Sequence, residues 1–157
     1  MSGVLNRAAP NRALEEEYEK ALGRLTMRFS WLHLFLESFG WLAWKLHPDI
    51  RLTVTRDFQT KHLVAKLRET AKFTIPQDAD RKCFLSILKR VEKAAERRND
   101  LLHSLWEFHG ESVKKTSKKR FDSEIAPTVQ DINQFNRSLL TIVKDLAEFT
   151  GRESVLR

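Results

Sequence analysis

Arg97-Arg98-Asn99-Asp100-Leu101-Leu102-His103-Ser104-Leu105-Trp106 is the stretch on which the reading of this chain turns. On a helical wheel Val91, Ala95, Leu102 and Leu105 form one apolar stripe at the 3.6-residue period, and Arg98 falls in its middle. A guanidinium there is costly to desolvate unless it meets an acid or a bound anion. Asn99 and His103 share a neighbouring face at a spacing where helical side chains meet. An always-charged fork, an amide and the side chain that titrates near neutrality are thus grouped beside the core edge. That set suits a phosphate with a proton to move.

Outward from this stretch the pattern is helical. A first helix is predicted from Asn11 to Leu46 through Leu25, Phe29, Leu32, Phe35, Leu36 and Phe39, with Pro48 stopping it. Asp49 to Thr55 reads as a linker. A second helix spans Asp57 to Phe73, with Leu63, Val64, Leu67 and Ala71 inward, and a third spans Ala79 to Phe108, ended by Gly110. The Asn99-Asp100 pair is weak in a helix interior and marks a kink or a fresh cap there. Pro127 opens the last helix, whose stripe is Val129, Ile132, Phe135, Leu139, Val143 and Leu146, and Gly151 closes it. Between the last two helices, Glu111 to Phe121 holds a basic run that fits either a loop or a small β-hairpin. These elements predict an all-α, up-down four-helix bundle with a short basic loop or β-hairpin between the last two helices. Residues 1–10 read as a flexible N-terminal lead-in and 11–157 as a single helical domain.

At 157 residues the chain is long enough for one substantial core. The formal charge of +7 permits a polyanionic partner without demanding one. Cys83 is the sole cysteine, which excludes an intrachain disulfide and fits a small core filler in a reducing cytoplasm. Glu15-Glu16-Glu17 precede any apolar run, so no secretory segment is expected. The apolar segment Trp31 to Leu46 carries His33, Glu37 and Lys45 and is shorter than the roughly 20 residues of a spanning helix, so no membrane association is expected. Because its apolar groups point to nearly every side, a second subunit is the natural cover for its outer face. His33, His47, His62 and His109 show no ligand spacing with acids or cysteines, so neither a metal nor a cofactor is expected. There is no Gly-rich phosphate loop and no Ser-His-Asp pattern, which argues against a nucleotide-hydrolysing enzyme.

The sequence Arg98-Asn99-Asp100-Leu101-Leu102-His103 resembles the signature of the HEPN superfamily: an arginine, a polar residue, three further residues and a histidine. The resemblance implies an α-helical bundle, commonly dimeric, of a kind that includes many metal-independent ribonucleases of toxin–antitoxin, phage-defence and CRISPR-linked systems. It implies Arg98, Asn99 and His103 as the catalytic set, RNA as substrate, and an antitoxin or defence-system partner. In HEPN toxins paired with a nucleotidyltransferase antitoxin, a tyrosine two residues after the histidine is modified. Leu105 stands at that position and Tyr18 is the only tyrosine, so neutralisation by that route is not expected.

The chemistry fits these residue types. RNA supplies its own nucleophile, the 2′-hydroxyl, and cleavage needs a base for it, an acid for the leaving 5′-oxygen and positive charge against the phosphorane. His103 can serve as base or acid, Arg98 can hold phosphoryl oxygens bidentately, and Asn99 can orient His103 or the substrate. One chain offers a single histidine at this site, so a twofold dimer would supply the second. Lys114, Lys115, Lys118, Lys119 and Arg120 suit RNA phosphates, or simply a solvated loop. Two other readings stand beside cleavage. One is a non-catalytic dimer that binds RNA or a nucleotide in the same cleft. The other is a structural or partner-binding bundle, such as an antitoxin-like or defence-complex subunit, whose Arg98 and His103 hold the dimer together; taken alone, Arg98 also suits pairing with a core acid such as Glu37.

Overall fold

Asn11 starts the first helix by accepting the Leu14 backbone N–H on its side-chain oxygen at 3.2 Å, a standard N-cap. Helix α1 then runs Arg12–Ala43 and buries Tyr18, Ala21, Leu25, Phe29, Leu32, Leu36 and Phe39, a stripe spaced by threes and fours. The computed structural model describes residues 11–117 and 123–152, with the side chains of 123 and 124 excepted; the expected lead-in over 1–10 lies outside them.

The expected linker after α1 is structured. A 3₁₀ turn, Pro48–Ile50, leads into a short helix α2, Arg51–Thr55, which folds back on the end of α1. The Trp41 indole donates to the Thr55 hydroxyl at 3.0 Å, and Arg51 Nε donates to the Leu46 carbonyl at 3.1 Å. Helix α3, Thr60–Thr74, therefore begins beside the middle of α1 and not at its end. His33 meets Thr60 at its start, and the Trp44 indole donates to Thr70 at 2.9 Å near its finish. Helices α1 and α3 thus run in the same direction, a correction to the strict up-down order expected from sequence. The cause is the fold-back through α2, which returns the chain along α1 before the next long helix begins.

Helix α4, Asp78–Leu102, runs against both α1 and α3. Phe84 near its start stacks with Phe149 at a ring separation of 5.3 Å and meets Phe39, tilted, at 4.4 Å, and Arg68 reaches Glu92 across the α3–α4 seam. Helix α5, Val129–Thr150, opens with a capping box in which the Thr128 hydroxyl and Asp131 carboxylate satisfy each other's backbone N–H groups. Those donations from Thr128, with Arg97 adding a smaller share, hold the Asp131 carboxyl below the usual aspartate range. Helix α5 follows the direction of α1: the Tyr18 hydroxyl donates to the Pro127 carbonyl, the Asn136 amide to the Ala21 carbonyl, and Phe39 lies near Phe149. All four long helices feed one core, in which Phe84, Leu88, Leu63 and Leu139 are wholly buried. Each such side chain contributes about 1.5–3 kcal/mol by leaving water.

The third helix was expected to continue to Phe108. It stops at Leu102, and the chain turns into β1, Leu105–His109, followed by β2, Ser112–Thr116, and β3, Ser123–Ile125, in an antiparallel sheet of order β1-β2-β3. The hairpin option is therefore the one adopted, with a third strand added. Two features end the helix early. The Trp106 indole takes the Leu101 carbonyl at 3.0 Å, and Trp106 and Phe108 alternate inward to pack on the Tyr18 ring at 5.4 and 5.6 Å. Gly110 does not terminate a helix; at φ 60 it is the first of the two residues turning β1 into β2, where a hairpin favours glycine. Leu105, placed on the core stripe by the helical wheel, is an exposed strand residue, and Leu101 is buried in its stead.

Among the described residues no helix is long and apolar enough to cross a membrane. The outer track of α1 stays open in the single chain: Met27 is 60% exposed, Trp31 53% and Leu34 51%, with Phe35 and Leu42 beside them.

Candidate functional site

The last turn of α4 carries the motif. Arg98 lies over the Phe29 ring of α1, with its guanidinium carbon 5.4 Å from the ring centre, and its Nη1 donates to the Asn99 side-chain oxygen at 2.9 Å. Its Nε is buried and has no hydrogen-bond partner among the described residues. A buried donor left in this way costs about 1–3 kcal/mol, which offsets part of what the contacts with Phe29 and Asn99 contribute. The pairing with Glu37 does not form. Glu37 faces His33, one turn back on α1, at 3.8 Å.

His103 is the residue at which α4 ends. Its backbone N–H closes the final turn on the Asn99 carbonyl at 3.0 Å, while its side chain is exposed. Arg98, Asn99 and His103 all line one cleft of about 510 Å³ bounded by α1, α3 and α4. Two residues on its wall were not anticipated. Lys61 of α3 adds a second fixed cation, and His33 of α1 adds a second histidine. No carboxylate lines the cleft among the described residues, so its charge invites an anion.

His33 overturns the premise that one chain brings a single histidine to this place. Its Nδ1 lies 3.0 Å from the Thr60 hydroxyl at the start of α3, and its Nε2 is on the side of Glu37. The signal was present in the sequence. Ser30, His33 and Glu37 form a polar track at helical spacing along a segment otherwise rich in aromatic and aliphatic groups.

The basic run divides. Lys114 points outward from β2. Lys115, one residue on, points inward as strand alternation demands; it is 5% exposed and forms an ion pair with Asp100. Lys115 is thereby a structural clamp and not a cation offered to phosphates. Lys118, Lys119 and Arg120 lie outside the described residues. Trp106, which could have stacked on a base, spends its indole on the motif helix and its ring on Tyr18. Tyr18 is itself buried, and burial first, then the Asp131 carboxylate, push its hydroxyl above the ordinary phenol range. Cys83 is half-buried against the main core, as a small filler would be. Among the described residues no group of three or more His, Cys, Asp or Glu side chains is placed to hold a metal ion.

No family model matches the chain, and neither a curated protein nor a solved structure matches it.

Proposed function

We propose that this protein is a metal-independent endoribonuclease of the HEPN type, cutting RNA in the cleft that Arg98, Asn99 and His103 share. One observation carries the reading: a motif suited to phosphoryl chemistry lines a cleft with two fixed cations, two histidines and no carboxylate among its described residues. Arg98 and Lys61 take the phosphoryl oxygens and offset the charge that grows on the phosphorane. Asn99, bonded to Arg98, holds the guanidinium toward the substrate. His103, free of side-chain bonds to its own helix, exchanges the proton. Phe58, half-buried on the same wall, offers a ring on which an unstacked base rests.

The active form is a homodimer in this proposal. Met27 and Leu34 flank Ser30 at the spacings that set helical side chains next to one another, and Ser30 lines the cleft. The exposed apolar track therefore borders the site, and a second copy seated on it would roof the cleft and exclude water. The biological setting follows from the resemblance, as a toxin or defence effector restrained by an antitoxin or a system partner.

The test is cleavage of a mixed structured RNA pool in EDTA by wild type and His103→Ala. Cleavage leaving 2′,3′-cyclic phosphate ends, reduced about 10²–10⁴-fold in a variant that keeps its oligomeric state, is the expected result. Equal background from both proteins overturns the ribonuclease reading.

A further inference from the structure

We infer that His33 is the second proton-transfer group of the same cleft, acting within one chain as the general acid while His103 acts as the base. The inference rests on the ribonuclease reading and deepens it. Cleavage by the 2′-hydroxyl needs two proton movements. A base takes the proton from the 2′-oxygen as that oxygen forms its bond to phosphorus, and an acid gives a proton to the 5′-oxygen as its bond to phosphorus breaks. The products are a 2′,3′-cyclic phosphate and a 5′-hydroxyl, and the two histidines have exchanged protonation states, which solvent restores.

The two rings have different surroundings. His103 stands exposed at the end of α4, with no side-chain hydrogen bond to another group among the described residues. His33 is set into the wall, with its side chain 26% exposed, Nδ1 on the Thr60 hydroxyl at 3.0 Å and Nε2 3.8 Å from a Glu37 oxygen. A protonated ring suits both neighbours, since Nδ1–H donates to the hydroxyl and Nε2–H lies on the carboxylate side. The 3.8 Å separation is too long for a hydrogen bond, so the Nε2 proton is oriented without being tied down. Glu37 and Thr60 are thereby positioning residues. The charged and titratable groups facing His33 are Glu37 on its own helix, Lys61 from α3, and Arg98 and His103 from α4. Arg98 and Lys61 bring the phosphate into the space between the two rings.

The test compares two RNA substrates under single turnover, one natural and one with the leaving 5′-oxygen replaced by sulfur. A thiolate leaves without a proton, so the sulfur substrate needs no acid. His33→Gln should slow the natural substrate about 10²–10⁴-fold yet cut the sulfur substrate within a few-fold of wild type. His103→Ala should be slow on both. Glu37→Gln, which leaves the ring in place, should show the His33 pattern more weakly, with the alkaline limb of the pH profile altered on the natural substrate alone. Mixing His33→Gln with His103→Ala should restore nothing, because each chain of a mixed dimer lacks one group of its own cleft. Equal loss on both substrates for both His33→Gln and Glu37→Gln, an unaffected His33→Gln, or activity regained on mixing overturns the inference while leaving the ribonuclease standing. A wild type that cuts neither substrate overturns both.

Discussion

Lys115 of β2 reaches the carboxylate of Asp100, the residue that follows Asn99 in the motif, and so fastens the sheet to the last turn of α4. The two ends of this pair differ in exposure: the lysine side chain is 6% accessible and the aspartate 45%. Removing either partner therefore has unequal consequences. Lys115→Met keeps the buried stem and leaves a carboxylate that water can reach, at a cost of about 1 kcal/mol. Asp100→Ala strands a buried ammonium and should cost about 2–3 kcal/mol. Urea denaturation of both variants checks the order, and equal losses would show that the lysine finds another acceptor.

Arg98 is costly where it stands. Arg98→Met should leave the unfolding free energy within about 1 kcal/mol of wild type, because losing the orphaned Nε–H offsets losing the guanidinium's contact with the Phe29 ring and its bond to Asn99. The same change should reduce cleavage about 10²–10³-fold, the usual loss for one donor to the developing charge. Denaturant midpoints beside cleavage rates separate these outcomes. A large fall in stability would mark Arg98 as a core strut.

Two glycines of α1 should respond in opposite ways to alanine. A Cβ at Gly23 meets nothing within 4 Å among the described residues, so Gly23→Ala should stabilise by about 0.5–1 kcal/mol through the unfolded chain and helix propensity. A Cβ at Gly40 would lie 3.0 Å from the Trp44 ring, which is pinned by its bond to Thr70. Gly40→Ala should cancel the propensity gain and destabilise by about 1 kcal/mol. Thermal melts of the two variants decide it.

Tyr18 gives the fold a pH dependence at the alkaline end. Its hydroxyl pKa is raised in the folded state by burial and by Asp131, so the folded chain holds this proton more tightly than the unfolded chain does. The associated stability is complete below the ordinary phenol pKa and is lost as pH rises through the folded value. Because Tyr18 is the only tyrosine, tyrosinate absorbance reads this one group. Its titration should fall above that of a free phenol and steepen where the protein unfolds; Tyr18→Phe should flatten the stability profile there.

Much of this architecture was legible from spacing. The stripes of α1, α3 and α5 emerged from threes and fours, and the start at Asn11 could be placed because its chemistry is local; the Thr128 cap was not read from the sequence, which opened the last helix on Pro127. The parts that escaped are tertiary. Nothing in Asp49 to Thr55 reveals that Trp41 will take the Thr55 hydroxyl and turn the chain back along α1. Trp106 and Phe108 fit a helical continuation until Tyr18 is there to receive them on a strand face. Likewise Lys115 could be told from Lys114 only once the strand register assigned one of them to the inside.

Helices α1 and α5, the first and last among the described residues, lie side by side and in the same sense, with the Tyr18 hydroxyl and the Ala21 carbonyl bonded to residues near the start of α5. A polypeptide leaving the ribosome has made His33, Thr60, Arg98 and His103 well before Val129–Thr150 is available to cover Leu25 and Phe84. Contacts of such long sequence separation form late. The walls of the cleft come from α1, α3 and α4, and the helix that completes the core behind them follows all three in sequence, so a growing chain carries every motif residue before it carries that support.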